Sequence, residues 1–406
     1  MSKLHLPYNR RQFIKLTRLF STAVGLSTIA GSCGKSFLSE AYRYSDRPVR
    51  VGYLPITDAS PLLAAYDKGF YRGEGLDILP PQRYRSWGAI VDAFTKEEVN
   101  VIHVLMPTAI WVRYGMQFPG KVVAWNHTNG SAITVLPTID RPEDLGGRTV
   151  AIPYWYSIHN IVLQALLRER GLQPTAKSLH LPLEPREVRL VVLPPPDMLS
   201  ALSRGDIAGY IVAEPYNSAA ETQGVGKVLR LTGDIWKDHA CCVVFAREDD
   251  INDRPQWMQK VVNAIVKSQH WSRANRPELA HLLSLDGGGY IPHSVSVLER
   301  VLSSYDRDYY TQKGAIVHPQ WRSRRIDFQP YPFPSYTRSL TQVLQRTFIQ
   351  DDIDFLQQLS ADFVVGDLVD DSFVKKALEQ VGGPQAFGLP LNLSRSEQLE
   401  TRAVIF

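Results

Sequence analysis

Aromatic and acidic side chains follow several predicted strands, at positions where a small molecule could bind. Asp58 stands beside the start of a helix, Glu214 follows the apolar strand 207–213, and residues 154–156 are three consecutive aromatics. A ring face attracts positive charge and a carboxylate accepts paired N–H donors, so these residues favour a small cation. Helix N-termini that point into the same site favour an anion. We therefore predict a guanidinium-like or other small nitrogen compound as the ligand, with a small anion as the alternative.

The candidate binding residues lie in loops after predicted strands, because ligands of open α/β sheets sit beyond the carboxyl ends of the strands. They are Asp58, Trp87, Trp125, Asn126, Asn129, Tyr154, Trp155, Tyr156, Ser157, Asp197 and Glu214. At least one of residues 154–156 should face the ligand, since three consecutive aromatics cannot all face one core. Trp87 and Trp125 can instead be core residues. Asp58 can support a helix cap, and Glu214 can be a structural contact at a hinge.

The elements that must position these residues alternate between short apolar strands and amphipathic helices. Residues 49–54 form a predicted strand, after which Ser60 and Pro61 suit the first positions of a helix. The strand 149–153 and the helix 158–170 repeat this pattern. Continuous apolar strands of this kind predict an α/β fold with mostly parallel sheets, each covered by helices on both faces.

Two sheets are predicted, because residues 137–238 contain strand and helix units of their own. The apolar strand 241–246 then returns to the first sheet, so two crossing strands join two lobes with a cleft between them. The predicted divisions are a signal peptide at 1–32, a tether at 33–46, lobe 1 at 47–136 and 239–345, lobe 2 at 137–238, and a C-terminal helical extension and tail at 346–406.

The N-terminal residues are typical of an export signal. Arg10 and Arg11, followed by Phe13, resemble a twin-arginine signal. The weakly apolar run 19–30 is shorter than the ~20 residues of a membrane span. Small residues before Cys33 resemble a lipoprotein cleavage site. We predict that lipidated Cys33 anchors a periplasmic protein to the membrane; the alternative is an ordinary signal peptide with Cys33 unmodified.

Composition and charge exclude other classes of protein. The 406 residues are 44% hydrophobic and 21% charged, which is typical of a soluble globular chain with two or three domains. The net charge is +4, but five basic residues and no acid in the first 32 positions leave −1 for residues 33–406. A nucleic-acid-binding fold needs a basic patch, so we expect no nucleic-acid partner.

The three cysteines do not predict a disulfide framework. Cys241 and Cys242 are adjacent, and the ~3.8 Å between neighbouring Cα atoms is shorter than a disulfide prefers. Ordinary core burial should therefore hold the protein together. We predict no cofactor, no metal site and no catalytic residue.

Five segments of the chain, taken together in order and spacing, resemble a known family. They are VGYLPITDASPL at 51–62, KGFY at 68–71 ahead of GLD at 75–77, MP at 106–107, PEDLGGRTVA at 142–151 and AEPYN at 213–217. Over residues 47–285 the chain resembles the periplasmic solute-binding proteins of ABC importers of the nitrate, bicarbonate, sulfonate and taurine type.

This resemblance implies a type II periplasmic binding protein, whose two lobes close over one solute. Such a protein delivers the solute unchanged to the permease and ATPase subunits of its importer, so it is not an enzyme, and we expect a monomer. The bicarbonate-binding members raise calcium as a further ligand to test.

Two functions of other classes stay open. The same fold family includes thiamine-pyrimidine synthases, and Cys241-Cys242 resembles part of a longer cysteine motif in those enzymes. The sequence contains no His-Glu-x-x-His zinc motif and no Gly-x-Ser-x-Gly elbow. A sensor domain is the third hypothesis, and it would need a separate signalling partner.

Overall fold

A computed structural model describes residues 47–400 of the protein. The predicted signal peptide, the tether and Cys33 lie outside these residues. Within the described part of the chain, no helix combines the length and the apolarity needed to cross a membrane.

Thirteen strands are found among residues 47–400. They are β1 (Val51–Tyr53), β2 (Gln82–Arg83), β3 (Val101–Leu105), β4 (Gly120–Trp125), β5 (Thr128–Asn129), β6 (Ser131–Val135), β7 (Arg148–Ile152), β8 (Gln173–Thr175), β9 (Glu187–Val192), β10 (Gly209–Ala213), β11 (Lys227–Leu231), β12 (Cys242–Arg247) and β13 (Ile326–Asp327). The apolar residues 76–79 form no strand: Ile78 makes a single bridge to Val49, and β2 forms the sheet edge. Pro80 and Pro81 have no backbone N–H, so they cannot extend the pairing of Ile78 with Val49 into a strand.

Helices lie between and after the strands. They are α1 (Ser60–Asp67), α2 (Phe70–Gly73), α3 (Trp87–Thr95), α4 (Met106–Ile110), α5 (Ile158–Glu169), α6 (Pro195–Ser203), α7 (Tyr216–Thr222), α8 (Glu248–Asp253), α9 (Pro255–Ala274), α10 (Arg276–Leu283), α11 (Val295–Leu302), α12 (Arg307–Gln312), α13 (Pro334–Leu344), α14 (Asp354–Gln357), α15 (Ala361–Leu368) and α16 (Ser372–Glu379). A π-helical turn at Trp111–Gly115 continues α4.

The strands form two main sheets, which confirms the predicted α/β fold. The first has the order β2-β1-β3-β12-β4 and the second the order β11-β6-β10-β7-β9-β8. Every antiparallel pair in these two sheets involves β6 or β12, and the other pairs are parallel. β6 and β12 are the strands that enter a sheet directly from a crossing segment, so their reversed direction follows from the connection.

Two crossing segments connect the sheets. Residues 126–130 lead from β4 to β6, and residues 232–241 lead from β11 back to β12. The two segments bond to each other, since the Asn126 amide donates to the Cys242 carbonyl at 3.0 Å and the Asn129 amide donates to the His239 carbonyl at 2.9 Å. The second sheet therefore begins at residue 131, six residues before the predicted lobe boundary, and the return of 241–246 to the first sheet is confirmed.

The C-terminal residues pack against the rest of the chain. Asp370 donates its amide to the Val122 carbonyl at 2.9 Å, which joins α15 and α16 to the first sheet. Further along, the Lys237 amide donates to the Gln398 carbonyl and the Glu400 amide to the Ile235 carbonyl. The segment predicted as an extended tail thus covers one of the two crossing segments.

Candidate functional site

The site begins at the carboxyl end of β1, where the chain turns into α1. Residues Thr57–Ala59 form a 3-10 turn, and Asp58 within it is completely buried. Ser60 is the first residue of α1, and its hydroxyl donates to the Thr57 carbonyl rather than capping the helix. The turn therefore points a carboxylate into the interior at the place where ligands of α/β sheets sit.

Three other buried side chains meet at this carboxylate. Together with Asp58 we call them the Asp58 group. They are Asp58, His127, Cys241 and Cys242. The Oδ2 atom of Asp58 lies 3.0 Å from His127 Nε2, 3.3 Å from Cys241 Sγ and 3.2 Å from Cys242 Sγ. His127 follows β4 in one crossing segment. Cys241 ends the other crossing segment, and Cys242 begins β12. Because β12 pairs with β4, the register Val243 opposite Trp125 brings them side by side.

Burial changes the protonation of these side chains. It raises the pKa of Asp58 to about 6, and the nearby His127 limits that rise. Burial opposes a charge on His127 too, but the attraction of Asp58 outweighs it and raises the pKa of this imidazole to about 10. Burial, together with Cys241 and Asp58, raises the pKa of Cys242. At neutral pH the group therefore holds a carboxylate and an imidazolium in contact, with no net charge between them.

The second sheet completes the site from the opposite side. Ser131 at the start of β6 and His159 near the start of α5 are hydrogen-bonded at 2.9 Å between Oγ and Nε2. Both atoms lie 3.9 Å from Cys241 Sγ. In the crossing segment, the Thr232 hydroxyl donates to the Ser131 carbonyl at 3.0 Å and contacts His239 Nε2 at 2.9 Å.

The two sheets touch on several sides of this centre. The Thr57 amide donates to the Glu214 carbonyl at 2.8 Å, and the Thr108 hydroxyl donates to the Tyr156 carbonyl at 2.6 Å. Nearer the surface, Arg85 forms an ion pair with Asp197. The arrangement is a closed one, in which the polar centre between the sheets has no exposed side chain.

One known protein family matches most of the chain that forms the two sheets. A model of the NMT1-like family matches residues 44–284, which is more than half of the chain. The chain belongs to the NMT1-like family. The resemblance noted in the sequence is thereby confirmed.

Relatives of this NMT1-like protein include transport proteins of cyanobacteria. The nitrate/nitrite binding protein NrtA of Nostoc sp. is 24% identical over 312 residues, which cover 71% of this chain and 68% of that protein. The nitrate import ATP-binding protein NrtC of Synechocystis sp. is 28% identical over 257 residues, which cover 58% of this chain and only 37% of that protein.

A solved structure shows the same fold. The periplasmic nitrate-binding protein NrtA from Synechocystis superposes with a TM-score of 0.69 at 18% identity, and the superposition covers 87% of this chain and 93% of that one. The predicted two-lobed periplasmic binding protein fold is therefore confirmed.

Only two of the sequence-predicted site residues lie at the Asp58 group of this NMT1-like chain. Asp58 is its centre, and the Asn126 side-chain amide donates to the Asp58 carbonyl. Asn129 has a positive φ of 58° and donates from Nδ2 to Asp238 and to the Arg324 carbonyl, so it shapes the crossing segment. Its predicted role in ligand binding stays a prediction.

The predicted tryptophans are core residues, as the alternative interpretation held. Trp87 is 1% exposed and packs edge-on against His103 at 5.5 Å between ring centroids. Trp125 is fully buried against Phe333 and Tyr336. Their ring faces are therefore occupied by the protein's own side chains.

The three consecutive aromatics lie where the sheets meet, but their neighbours are mostly other aromatic rings. Tyr156 stacks on Trp111 at 5.4 Å, and Trp155 meets Phe348 edge-on at 5.7 Å. Tyr154 also contacts the ring of Trp111. Ser157 caps α5 by accepting the Asn160 amide at 3.0 Å. These residues join α5 to the C-terminal extension and to the π-helical turn.

The two other predicted carboxylates already have cationic partners. Glu214 is fully buried, and its Oε1 lies 2.8 Å from Arg325 Nε and 2.6 Å from Arg325 Nη2. Burial raises the pKa of Glu214 in spite of this partner. Asp197 is engaged by Arg85. Of the three acids on which the cation hypothesis depended, Asp58 alone reaches the buried centre.

Sequence reasoning missed His127, Ser131, His159 and both cysteines as site residues. Their signal was their position: His127 and Cys241 lie on the two segments that cross between the sheets, and Cys242 follows directly. Segments that connect the same two sheets must run beside each other, so polar residues on both of them belong to one site. Cys241 and Cys242 were considered as a disulfide and as part of an enzyme's cysteine motif, and not as residues of a binding site.

Proposed function

We propose that the protein is the solute-binding component of an ABC importer and captures a small cationic solute at the Asp58 group. The observation that carries the proposal is the buried polar centre between two sheets that touch around it. A receptor that closes over its ligand needs such a centre, and the site lies at the carboxyl ends of β1, β3 and β4. The names of the cyanobacterial relatives, which describe nitrate and bicarbonate import, support a role in transport.

The Asp58 carboxylate supports a cation rather than an oxyanion. Its Oδ1 atom is buried without a hydrogen-bond partner, so it can accept donors from a ligand. An oxyanion placed against Oδ1 would meet an acceptor atom that has no proton to donate. The guanidinium-like cation predicted from the sequence is the organic candidate of this class. Nitrate, bicarbonate and sulfonates stay the alternative, because His127 and His159 can donate to an anion and the relatives carry such names.

A panel of solutes tests the cation hypothesis by thermal unfolding of the full chain. A ligand that binds the folded state stabilises it by RT ln(1 + [L]/Kd), about 2.7 kcal/mol at a hundred times Kd. We expect guanidinium at low millimolar concentration to raise the melting temperature, and nitrate, bicarbonate, taurine and alkanesulfonates to leave it unchanged at equal ionic strength. Stabilisation by an anion alone would reverse the choice of solute.

The transport role also predicts that the bound solute is recovered unchanged. We propose that the protein acts outside the cytoplasmic membrane and passes its solute to a permease driven by an ATPase. Ligand extracted after prolonged incubation should be chemically identical to the ligand supplied, in one equivalent per chain. A product with a different mass would favour the enzyme hypothesis instead.

Lipidation of Cys33 gives a further prediction about location. Replacing Cys33 by Ser is expected to move the protein from the membrane fraction to the soluble periplasmic fraction, because the acyl anchor is lost. Cell fractionation with immunoblotting measures this. Cys33→Ala serves as the matched control and should behave in the same way. Equal fractionation of the wild type and both variants would contradict a lipid anchor.

A further inference from the structure

The Asp58 group has an arrangement that hydrogen bonding alone does not explain. His127 and both thiols crowd onto Oδ2 of Asp58, while Oδ1 is equally buried and has no partner. A purely hydrogen-bonded cluster would share its donors between two equivalent oxygens. Four potential ligand atoms that converge on one point are instead typical of a site that surrounds a cation.

We infer that the Asp58 group binds a thiophilic metal ion such as Zn²⁺, held by Asp58, His127, Cys241 and Cys242. This inference rests on the proposed function and deepens it, since it names a metal ion as the cation that the site selects. The proposal differs from the sequence expectation, which assigned no metal ligand to the chain.

The distances within the group suit such an ion. All four ligand atoms lie within 4.8 Å of one another, and three of the separations are 3.0–3.3 Å. A tetrahedral zinc ion with bonds of about 2.0–2.3 Å separates its ligands by roughly 3.3–3.8 Å. Small shifts of side chains are therefore enough to receive the ion, and the backbone can stay where it is.

The donor atoms select the class of metal. Two sulfurs and one imidazole nitrogen favour a soft or borderline ion, whereas Ca²⁺ and Mg²⁺ require mostly oxygen ligands. Asp58 offers the one carboxylate of the group, so calcium, which the resemblance raised, does not fit here. Each cysteine that binds as a thiolate releases its proton to solvent, and the His127 imidazolium must also release the proton of Nε2, because a metal ligand needs a free lone pair.

The position of the ligands explains capture and release. Asp58 lies in the turn after β1, and Cys242 begins β12, so both belong to the side of the first sheet. His127 and Cys241 lie at the ends of the two crossing segments next to that sheet. The ligand set therefore does not depend on the second sheet. From the second sheet, Ser131 and His159 approach Cys241 Sγ at 3.9 Å and cover it. The ion can thus bind before closure and be enclosed by it.

Metal binding by the full chain tests the inference directly. We expect protein stripped by a chelator under reducing conditions to regain one equivalent of Zn²⁺, measured by mass spectrometry after dialysis. Co²⁺ in place of Zn²⁺ should produce thiolate-to-metal charge-transfer absorption. Half-maximal thermal stabilisation should need about a hundredfold less Zn²⁺ than guanidinium, because thiolates bind zinc far more tightly than one carboxylate binds an organic cation.

Matched variants locate the metal. Cys241→Ser/Cys242→Ser should lose the absorption and weaken Zn²⁺ binding about a hundredfold or more. His270→Gln, which changes an exposed histidine of α9 outside the site, and Cys33→Ser should keep both. Circular dichroism checks that each variant folds. If a variant does not fold, the zinc stoichiometry and the Co²⁺ absorption of the wild-type protein decide whether the metal site exists. Zinc binding that survives the double cysteine change would overturn the assignment.

The two proposals fail in different ways. Stabilisation by guanidinium without any zinc above the chelated control would overturn the metal site and leave the proposed function standing. Zinc bound at one equivalent, together with unaltered zinc uptake by cells that lack the protein, would support the metal site and overturn the transport role.

Discussion

Replacing Asp58 by Asn is expected to abolish cation binding and also to destabilise the protein, because buried His127 loses the carboxylate with which it is paired. Asn keeps the shape of the side chain but removes the charge that the ligand neutralises. Losing one partner of a buried charged pair costs about 2–5 kcal/mol of binding free energy, or roughly one and a half to three and a half powers of ten in Kd. Calorimetric titration with Zn²⁺ and with guanidinium measures this loss.

The stability half of this prediction follows from the contact between Asp58 and His127. Burial opposes the charge on His127, but Asp58 raises the pKa of this imidazole to about 10, so the pair stabilises the folded protein at neutral pH, and this contribution is lost as the pH rises through that pKa. The Asn variant removes the charge that raises this pKa, and it leaves a buried imidazole without its ionic partner.

Asp197→Asn is the matched control, because the sequence singled out this acid as well. Its carboxylate pairs with exposed Arg85, and such surface pairs contribute little. We expect Asp197→Asn to change the Kd for Zn²⁺ and for guanidinium by less than about threefold. A loss of binding at Asp197 with none at Asp58 would move the site away from the Asp58 group.

Replacing Arg325 by Met is expected to cause the largest loss of stability. Arg325 and Glu214 are both fully buried and form a two-nitrogen contact with one carboxylate oxygen. Removing one partner leaves an uncompensated buried charge and costs about 3–5 kcal/mol. The free energy of unfolding from urea denaturation measures the effect.

The double variant Glu214→Gln/Arg325→Met separates the pair from its neighbourhood. It should recover a large part of the loss, since no unpaired charge remains. Lys96→Gln, which breaks an exposed pair within α3, should change little. If Arg325→Met were no more harmful than Lys96→Gln, the buried pair would not be structural. Retained Zn²⁺ binding in the double variant would assign Glu214 to the hinge contact rather than to the ligand.

Much of the fold could be predicted because it depends on local patterns. Apolar strands followed by helix starts placed β1 with α1 and β7 with α5 within a few residues of their observed bounds. The return of 241–246 to the first sheet was predicted as well. Register was not predictable, since pairing partners come from distant parts of the chain, and the boundary near 137 missed β6 for that reason.

The candidate site was predicted in its location more than in its residues. The carboxyl edge of the first sheet and Asp58 are common to both the sequence prediction and the structure. The aromatics at 154–156 and the two tryptophans look the same in a sequence whether they face a ligand or one another. In the structure the rings of Trp111, Phe348 and Tyr336 pack against Tyr156, Trp155 and Trp125, and a sequence does not show such contacts.

The sequence by itself determined the α/β class, the alternation of elements, the family likeness and the acid at the first turn, because these depend on side-chain periodicity and short motifs. Tertiary structure alone decided that His127 and the two cysteines share that acid. They lie 69 to 184 positions from Asp58 along the chain, and only the pairing of β12 with β4 makes them neighbours. Chemistry at a site depends on distances in space, and those are set by strand register that no local pattern carries.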